Sequence, residues 1–520
     1  EMSASLVGSE MCIRDRKNVV IPEGVTAIGH HFFGYCTNLE SISFPNTLNK
    51  IGSRVFASCT SLSGRIEIPT SVSSMGGACF LGCHDITLSI PAKLVCENGY
   101  LYGDNMSLEL VNDGTTSIAP EAFSGWSGLV SITMPNCITS IGENAFSGTG
   151  LKEVTIPNSV TTVMYGTFMG CKNLVKIDIP NSVTVIGGSA FAGCGNLTEI
   201  EIPNSVMSIG GDCFSNCNSL QNITIPGRLL AGENVLRQCT GLKHFTIPEG
   251  TEVIGRGCFR NCTALESIDI PNTVTTIEGD AFHNCTSLRS VTIPNSVKTV
   301  GASFYGCSNL SDIKVPDHLY ETSIFSGTGI TDITVPEGTT AVGGFTDCTK
   351  LTSITFPEGV KALSDFSGCS SLRAIDIPDG VSVIGLGLFE HCTKLTKVTI
   401  PSSVVSLGSF AFHECSSLTH IVIPNHVATI GGFAFADCPL TSVTLGSGVT
   451  SIEELAFHNA PIRQLRCYAV VPPKLPGVVN GSFSADLVKG ATLYVPAGTG
   501  MAYSESDWKI YFENIVEMEE

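Results

Sequence analysis

The residues best placed to do chemistry are cysteines that recur at one position of a repeating cycle. Fifteen of the 22 cysteines occupy it, among them Cys194, Cys217 and Cys285. If successive cycles stack at the strand spacing of roughly 4.8 Å, neighbouring thiols come within disulfide reach, and an array of thiolates could hold a soft metal. Two features oppose both chemistries. Equivalent side chains on a parallel ladder point the same way rather than toward each other, and Thr149, Thr328, Trp126 and Ala460 fill the same position. The favoured reading is a column of buried small side chains, so Cys194, Cys217 and Cys285 are expected to be reduced and buried.

Histidines His283, His413 and His458 each follow the aromatic residue of their cycles but lie two or more cycles apart, so no two of these three can share a metal. The chain carries no HExxH, GxSxG or P-loop pattern and no convergent set of acid, base and nucleophile. The expectation is therefore no catalytic, cofactor-binding or metal-ligating residue, no cofactor and no enzymatic activity. What remains is a polar face. Exposed strand positions carry many threonines, which fill a sheet surface well in any case, with Asp178, Glu199, Glu201 and Asp269 among them. These four, with Tyr100 and Tyr102, are the candidate partner-binding residues.

The element that positions them is a 23-residue cycle, seen plainly in Leu174–Asn196, LVKIDIPNSVTVIGGSAFAGCGN. Ile177 and Ile179 alternate with polar residues, as a half-buried strand requires. Pro180 removes a ladder donor and ends the strand. Asn181 and Ser182 turn the chain, and Val183 and Ile186 return apolar groups inward. Gly187 and Gly188 read as a second corner at which positive φ is tolerated. Ala190, Phe191 and Cys194 complete the cycle, which has no room for a long helix. One such unit cannot cover its own apolar face, whereas stacked copies share one core. The fold expected is a β-rich right-handed solenoid of about 20 stacked cycles, 20–24 residues each, with short parallel strands and little helix.

Composition agrees. Hydrophobic residues make up 43% and charged residues 14%, so the interior is well filled and the surface is mostly small and polar. A net charge of −19 disfavours nucleic acid and anionic membranes as partners. No apolar run approaches the roughly 20 residues that span a bilayer.

Residues 1–15 fit no cycle and read either as translated adapter sequence or as a natural tail. Cycles run over 16–463 and are marked by a bulky residue at Phe33, Phe56, Phe80, Phe123 and onward to Phe457, with Leu236 as one substitute. Spacings shorten between Phe304 and Phe366, where smaller rungs are expected. The gap from Phe80 to Phe123 contains two alternating runs around Gly103-Asp104-Asn105, which read as a β-hairpin insertion near 95–111. Residues 464–520, with Trp508 and Phe512, read as a capping segment.

The pattern L-x-x-I-x-I-P-x-x-V-x-x-I-G-x-x-A-F-x-x-C resembles the BspA-like type of leucine-rich repeat, found in surface proteins of anaerobic bacteria and some mucosal protists. The ending Val471-Pro472-Pro473, Leu493-Tyr494-Val495-Pro496-Ala497-Gly498 and Trp508 is similar to that of bacterial members. The resemblance implies an adhesin-like protein, secreted or anchored at the cell surface, with extracellular-matrix or other host proteins as candidate partners; the chain is expected to be a monomer. An export signal is not recognisable in the chain, and truncation upstream is the expected reason. Two other readings stay open, a structural spacer without a ligand and a carbohydrate-binding module; exposed aromatics, which sugars favour, are few on the strand face.

Overall fold

A computed structural model describes residues 14–96, 101, 103–477 and 481–519. The chain divides into two compact units, Glu1–Leu265 and Glu266–Glu520. Each is a parallel β-solenoid, and together they make about 21 turns. Helices among the described residues are short, such as Lys93–Cys96 and Gly500–Ser504.

One rung of the first unit shows why the sequence folds this way. Strand Lys176–Asp178 is exposed, buried, exposed in turn, with Ile177 inward. It pairs in parallel with Glu153–Thr155 of the preceding rung. Pro180 stops the ladder and its carbonyl accepts from the Val183 amide at 3.0 Å, closing the turn. A second two-residue strand, Val185–Ile186, pairs with Thr162–Val163 before it and Ser208–Ile209 after it. Val183, Ile186, Ala190, Phe191 and Cys194 all bury in the rung interior.

The second glycine corner is built differently from the sequence reading. Positive φ falls not on Gly187 or Gly188 but on Ser189 (53°) and Gly193 (74°), two residues either side of Phe191. Gly187 is small for another reason. A Cβ there would lie 2.5 Å from the Tyr165 nitrogen and 2.6 Å from the Met164 carbonyl carbon of the preceding rung. Close backbone approach, rather than conformational freedom, excludes a side chain.

Phenylalanine rings form the spine of each unit. Phe168 stacks on Phe191 at 5.7 Å and 3°, and Phe191 on Phe214 at 5.3 Å and 3°. In the second unit Phe389, Phe412, Phe435 and Phe457 continue the same way at 5.2–5.4 Å. The shortened cycles preserve the stack, with Phe325–Phe345 at 4.8 Å and Phe345–Phe366 at 5.0 Å. There the positive-φ residue moves next to the ring, at Gly344 and Asp365, which is where the missing residues are absorbed.

In its described residues the wide gap after Phe80 is built as a rung and not as a hairpin arm, while residues 97–100 and Tyr102 of the expected first run lie outside the described residues. Strand Met106–Val111 pairs in parallel with Ile86–Pro91 on one side and Leu129–Thr133 on the other. Antiparallel return would be needed for a hairpin. Leu101, buried to 4% exposure, stands at the ring position, and its carbonyl accepts from the Phe80 amide at 3.3 Å. The short helix Lys93–Cys96 fills part of the turn.

At the end of the second unit, strands Gln464–Cys467, Thr492–Val495 and Asn514–Glu517 extend the ladder in parallel from Ser442–Leu445. Phe483 stacks on Phe457 at 5.3 Å and 5°, carrying the ring spine one step past the last regular cycle. Trp508, Tyr503 and Phe512 bury behind it. Their polar atoms are satisfied: Trp508 Nε1 donates to the Pro473 carbonyl at 2.9 Å and the Tyr503 hydroxyl to Ala469 at 2.7 Å.

Candidate functional site

The exposed strand positions of the first unit make an open hollow of about 570 Å³, lined by Lys176, Asp178, Asn181, Glu199, Glu201, Asn222 and Thr224. Strand pleat determines which residues line it: Ile177 and Ile200 point inward, so their neighbours must point out. Three of the four acidic residues singled out in the sequence, Asp178, Glu199 and Glu201, are thus brought together and exposed. Lys176 Nζ stands 3.6 Å from Asp178 Oδ1, so Asp178 is partly neutralised. Glu199 and Glu201 therefore carry most of the negative field.

Asp269 is exposed as well, but in the second unit. It lines its own hollow of about 420 Å³ with Ser267, Asn272, Ser290, Thr292, Asp312 and Lys314. Tyr100 and Tyr102 lie outside the described residues.

The cysteine column is buried and reduced in geometry. Thirteen of the fifteen column thiols reach back to the carbonyl of the ring residue one rung earlier. Cys194 Sγ donates to Phe168 at 3.3 Å, Cys217 to Phe191 at 3.2 Å and Cys262 to Leu236 at 3.1 Å. Threonine does related work where it substitutes: Thr149 Oγ1 donates to the Phe146 carbonyl at 2.8 Å. Burial pushes the Cys217 and Cys262 thiols up to about 12, far from the thiolate that metals and electrophiles require. Cys285 is likewise buried. Among the described cysteines only Cys137 is part-exposed. A thiol reagent at neutral pH is expected to label Cys137 well before the column, and Cys137→Ala should remove one equivalent from the fast phase. Fast labelling of many column thiols in the native protein would contradict this packing.

The histidines need one correction. His283, His413 and His458 do occupy separate rungs, but His413 meets His391, which the sequence reading did not pair with it; the ring centroids are 5.8 Å apart. Among the described residues, Glu390, His391 and His413 are the one group whose ligand atoms all lie within 4.8 Å of one another. Also among the described residues, no helix is long and apolar enough to cross a membrane.

Solved structures similar to this chain include a leucine-rich repeat protein from Bacteroides ovatus, at 26% identity over 79% of this chain and 87% of that one, TM-score 0.39. A leucine-rich cell surface protein from Faecalibacterium prausnitzii is 25% identical over 66% and 88%, TM-score 0.29. The pneumococcal vaccine antigen PcpA is 18% identical over 81% and 95%, TM-score 0.34. No curated protein matches. The profile of the BspA type leucine-rich repeat region, six copies long, matches residues 11–113, 116–240, 230–344 and 343–463. With the parallel rungs, ring spine and cysteine column repeating throughout that span, the chain belongs to the BspA-type leucine-rich repeat family.

Proposed function

We propose that the protein is a non-enzymatic interaction protein of the cell surface or extracellular space, and that the acidic strand face of its first unit receives a basic segment of a matrix or host protein. The observation that carries this reading is the hollow over Asp178, Glu199 and Glu201, where a wide, open, polar surface has a net negative lining. Such a face favours extended protein ligands over small molecules, which prefer enclosed apolar sites. It would steer a basic partner during encounter, and salt would weaken that steering once the Debye length falls below roughly 10 Å. Family membership supports the protein-binding class, and the resemblance to surface proteins supports the location.

The test is surface plasmon resonance against basic matrix proteins over a salt series. Combined Asp178→Asn, Glu199→Gln and Glu201→Gln substitutions are expected to weaken binding roughly three- to tenfold, the size of a few exposed charge contacts, and to flatten its salt dependence. Folding should be unchanged, because all three side chains are exposed. If the parent binds no candidate, or the variant binds as tightly as the parent, a spacer without its own ligand becomes the better account.

A further inference from the structure

Within each rung the two residues after the ring position sit at one edge of the solenoid. In the rungs of Phe389, Phe412 and Phe435 these pairs are Glu390-His391, His413-Glu414 and Ala436-Asp437. Their second members hold the left-handed conformation, with φ of 58°, 56° and 58°. Equivalent positions elsewhere are often glycine, as at Gly148, Gly170 and Gly193. Histidine and glutamate thus occupy a backbone that costs a side-chain-bearing residue about 1–2 kcal/mol.

The hydrogen-bond pattern gathers two imidazole nitrogens around one carboxylate. His391 Nδ1 lies 2.9 Å from Glu414 Oε2, which places the imidazole proton there and the lone pair on Nε2. That Nε2 faces Glu390 Oε1 at 3.8 Å. His413 presents Nδ1 to the same Glu390 Oε1 at 3.1 Å and Nε2 to Asp437 Oδ2 at 3.5 Å. Of the two contacts of His413 only the one from Nδ1 is a hydrogen bond, so in the metal-free protein Nδ1 donates to Glu390 Oε1. Moving that proton to Nε2, toward Asp437 at 3.5 Å, presents a second lone pair beside that of His391 Nε2 and the Glu390 carboxylate, and a cation placed among the three would drive that shift.

We propose that Glu390, His391 and His413 form a binding site for a divalent transition-metal ion of the zinc class. The ligand atoms would be His391 Nε2, His413 Nδ1 and Glu390 Oε1. Metal–ligand bonds of about 2.0–2.2 Å in tetrahedral geometry place ligand atoms roughly 3.3 Å apart, and the distances of 3.1 and 3.8 Å bracket that value. Two imidazoles with one carboxylate select zinc, nickel or copper over calcium and magnesium, which prefer all-oxygen shells. Glu414 and Asp437 supply the outer contacts that hold metal-binding imidazoles in one tautomer. Packing helps hold the His413 ring. It meets Phe410 edge-on at 5.4 Å, and Phe410 stacks on Phe433 at 4.8 Å. His391 is exposed and Glu390 part-exposed, so water can supply the fourth ligand.

The full chain, kept reduced and freed of metal with a chelator, would be titrated with zinc chloride in a calorimeter. One equivalent is expected to bind at neutral pH and to survive excess magnesium. His391→Asn keeps a residue that tolerates left-handed backbone, as Asn216 and Asn261 do at the equivalent position, yet removes a ligand. It and Glu390→Gln should abolish saturable binding, while Glu414→Gln should weaken it about tenfold or more. His84→Asn, at an exposed histidine beside Asp85 in the other unit, should leave uptake unchanged. Circular dichroism would confirm that each variant is folded. Failure of the parent to bind zinc, or undiminished binding in His391→Asn or Glu390→Gln, overturns the site.

Discussion

Replacing Phe191 with alanine is expected to destabilise the first unit by about 3–5 kcal/mol. The ring is fully buried and lies between Phe168 and Phe214 with interplanar angles of 3° on both sides. Neither neighbour can collapse into the space, because each is fixed by its own rung and by the next ring along. The loss should stay local, since a rung touches mainly the rungs beside it and solenoid stability is close to a sum of nearest-neighbour terms. Hydrogen exchange read by mass spectrometry should therefore accelerate over about residues 160–220 and remain at parent rates in the second unit. Phe191→Leu is the informative companion. Leu101 and Leu236 hold the same position naturally and bury to 4% and 0% exposure, so leucine should cost about 1 kcal/mol. Equal damage from the two substitutions, or acceleration spread evenly along the chain, would contradict the ring spine as the local core.

That spine was legible because every rung states it again. The alternation around Ile177, the stop at Pro180 and the ring at Phe191 each follow from one residue's chemistry, and repetition removes the ambiguity of any single copy. Where a rung departs from the pattern, the same signals mislead. Around Gly103-Asp104-Asn105 two alternating runs look alike whether the second strand folds back or advances to the next rung. The distances 80 to 101 and 101 to 123, at 21 and 22 residues, were the signal for an ordinary rung, and leucine in place of phenylalanine hid it. Glycine was misread for a related reason: at Gly187 sequence cannot separate a need for positive φ from a need for absent Cβ. The exposed acidic residues are recoverable from strand alternation, whereas which of them share a hollow is not: Asp178, Glu199 and Glu201 line one and Asp269 another. The His391–His413 meeting is hidden in the sequence because the two occupy different cycle positions, two residues and one residue after the ring.

The cysteine column should make the fold fail in alkali. Burial, the largest cause in each case, raises the thiols of Cys59, Cys217, Cys262, Cys348 and Cys392 to about 12 against an ordinary 9.0. A group whose folded value is raised contributes stability that is complete below the unfolded value and is lost as pH climbs toward the folded one. The window here runs from about pH 9 to 12, in which the unfolded chain releases protons that the native chain retains. Each fully titrated thiol is worth about 4 kcal/mol at 1.36 kcal/mol per unit, and about half of that near pH 10.5. Tyrosines and lysines ionise in the same range, so the column is isolated by substitution rather than by the parent curve alone. Cys217→Thr with Cys262→Thr keeps a hydroxyl able to donate to the ring-residue carbonyl of its own rung, Phe214 or Phe259, as Thr149 does to Phe146 and Thr328 to Phe325. Urea midpoints measured with reductant present should place the variant at or below the parent at pH 8. By pH 10.5 the balance should shift in its favour by about 4 kcal/mol, because two buried acids no longer oppose folding. A difference between parent and variant that stays constant from pH 8 to 10.5 would mean that these thiols ionise without unfolding the rungs, and the buried column would lose its part in the stability of the solenoid.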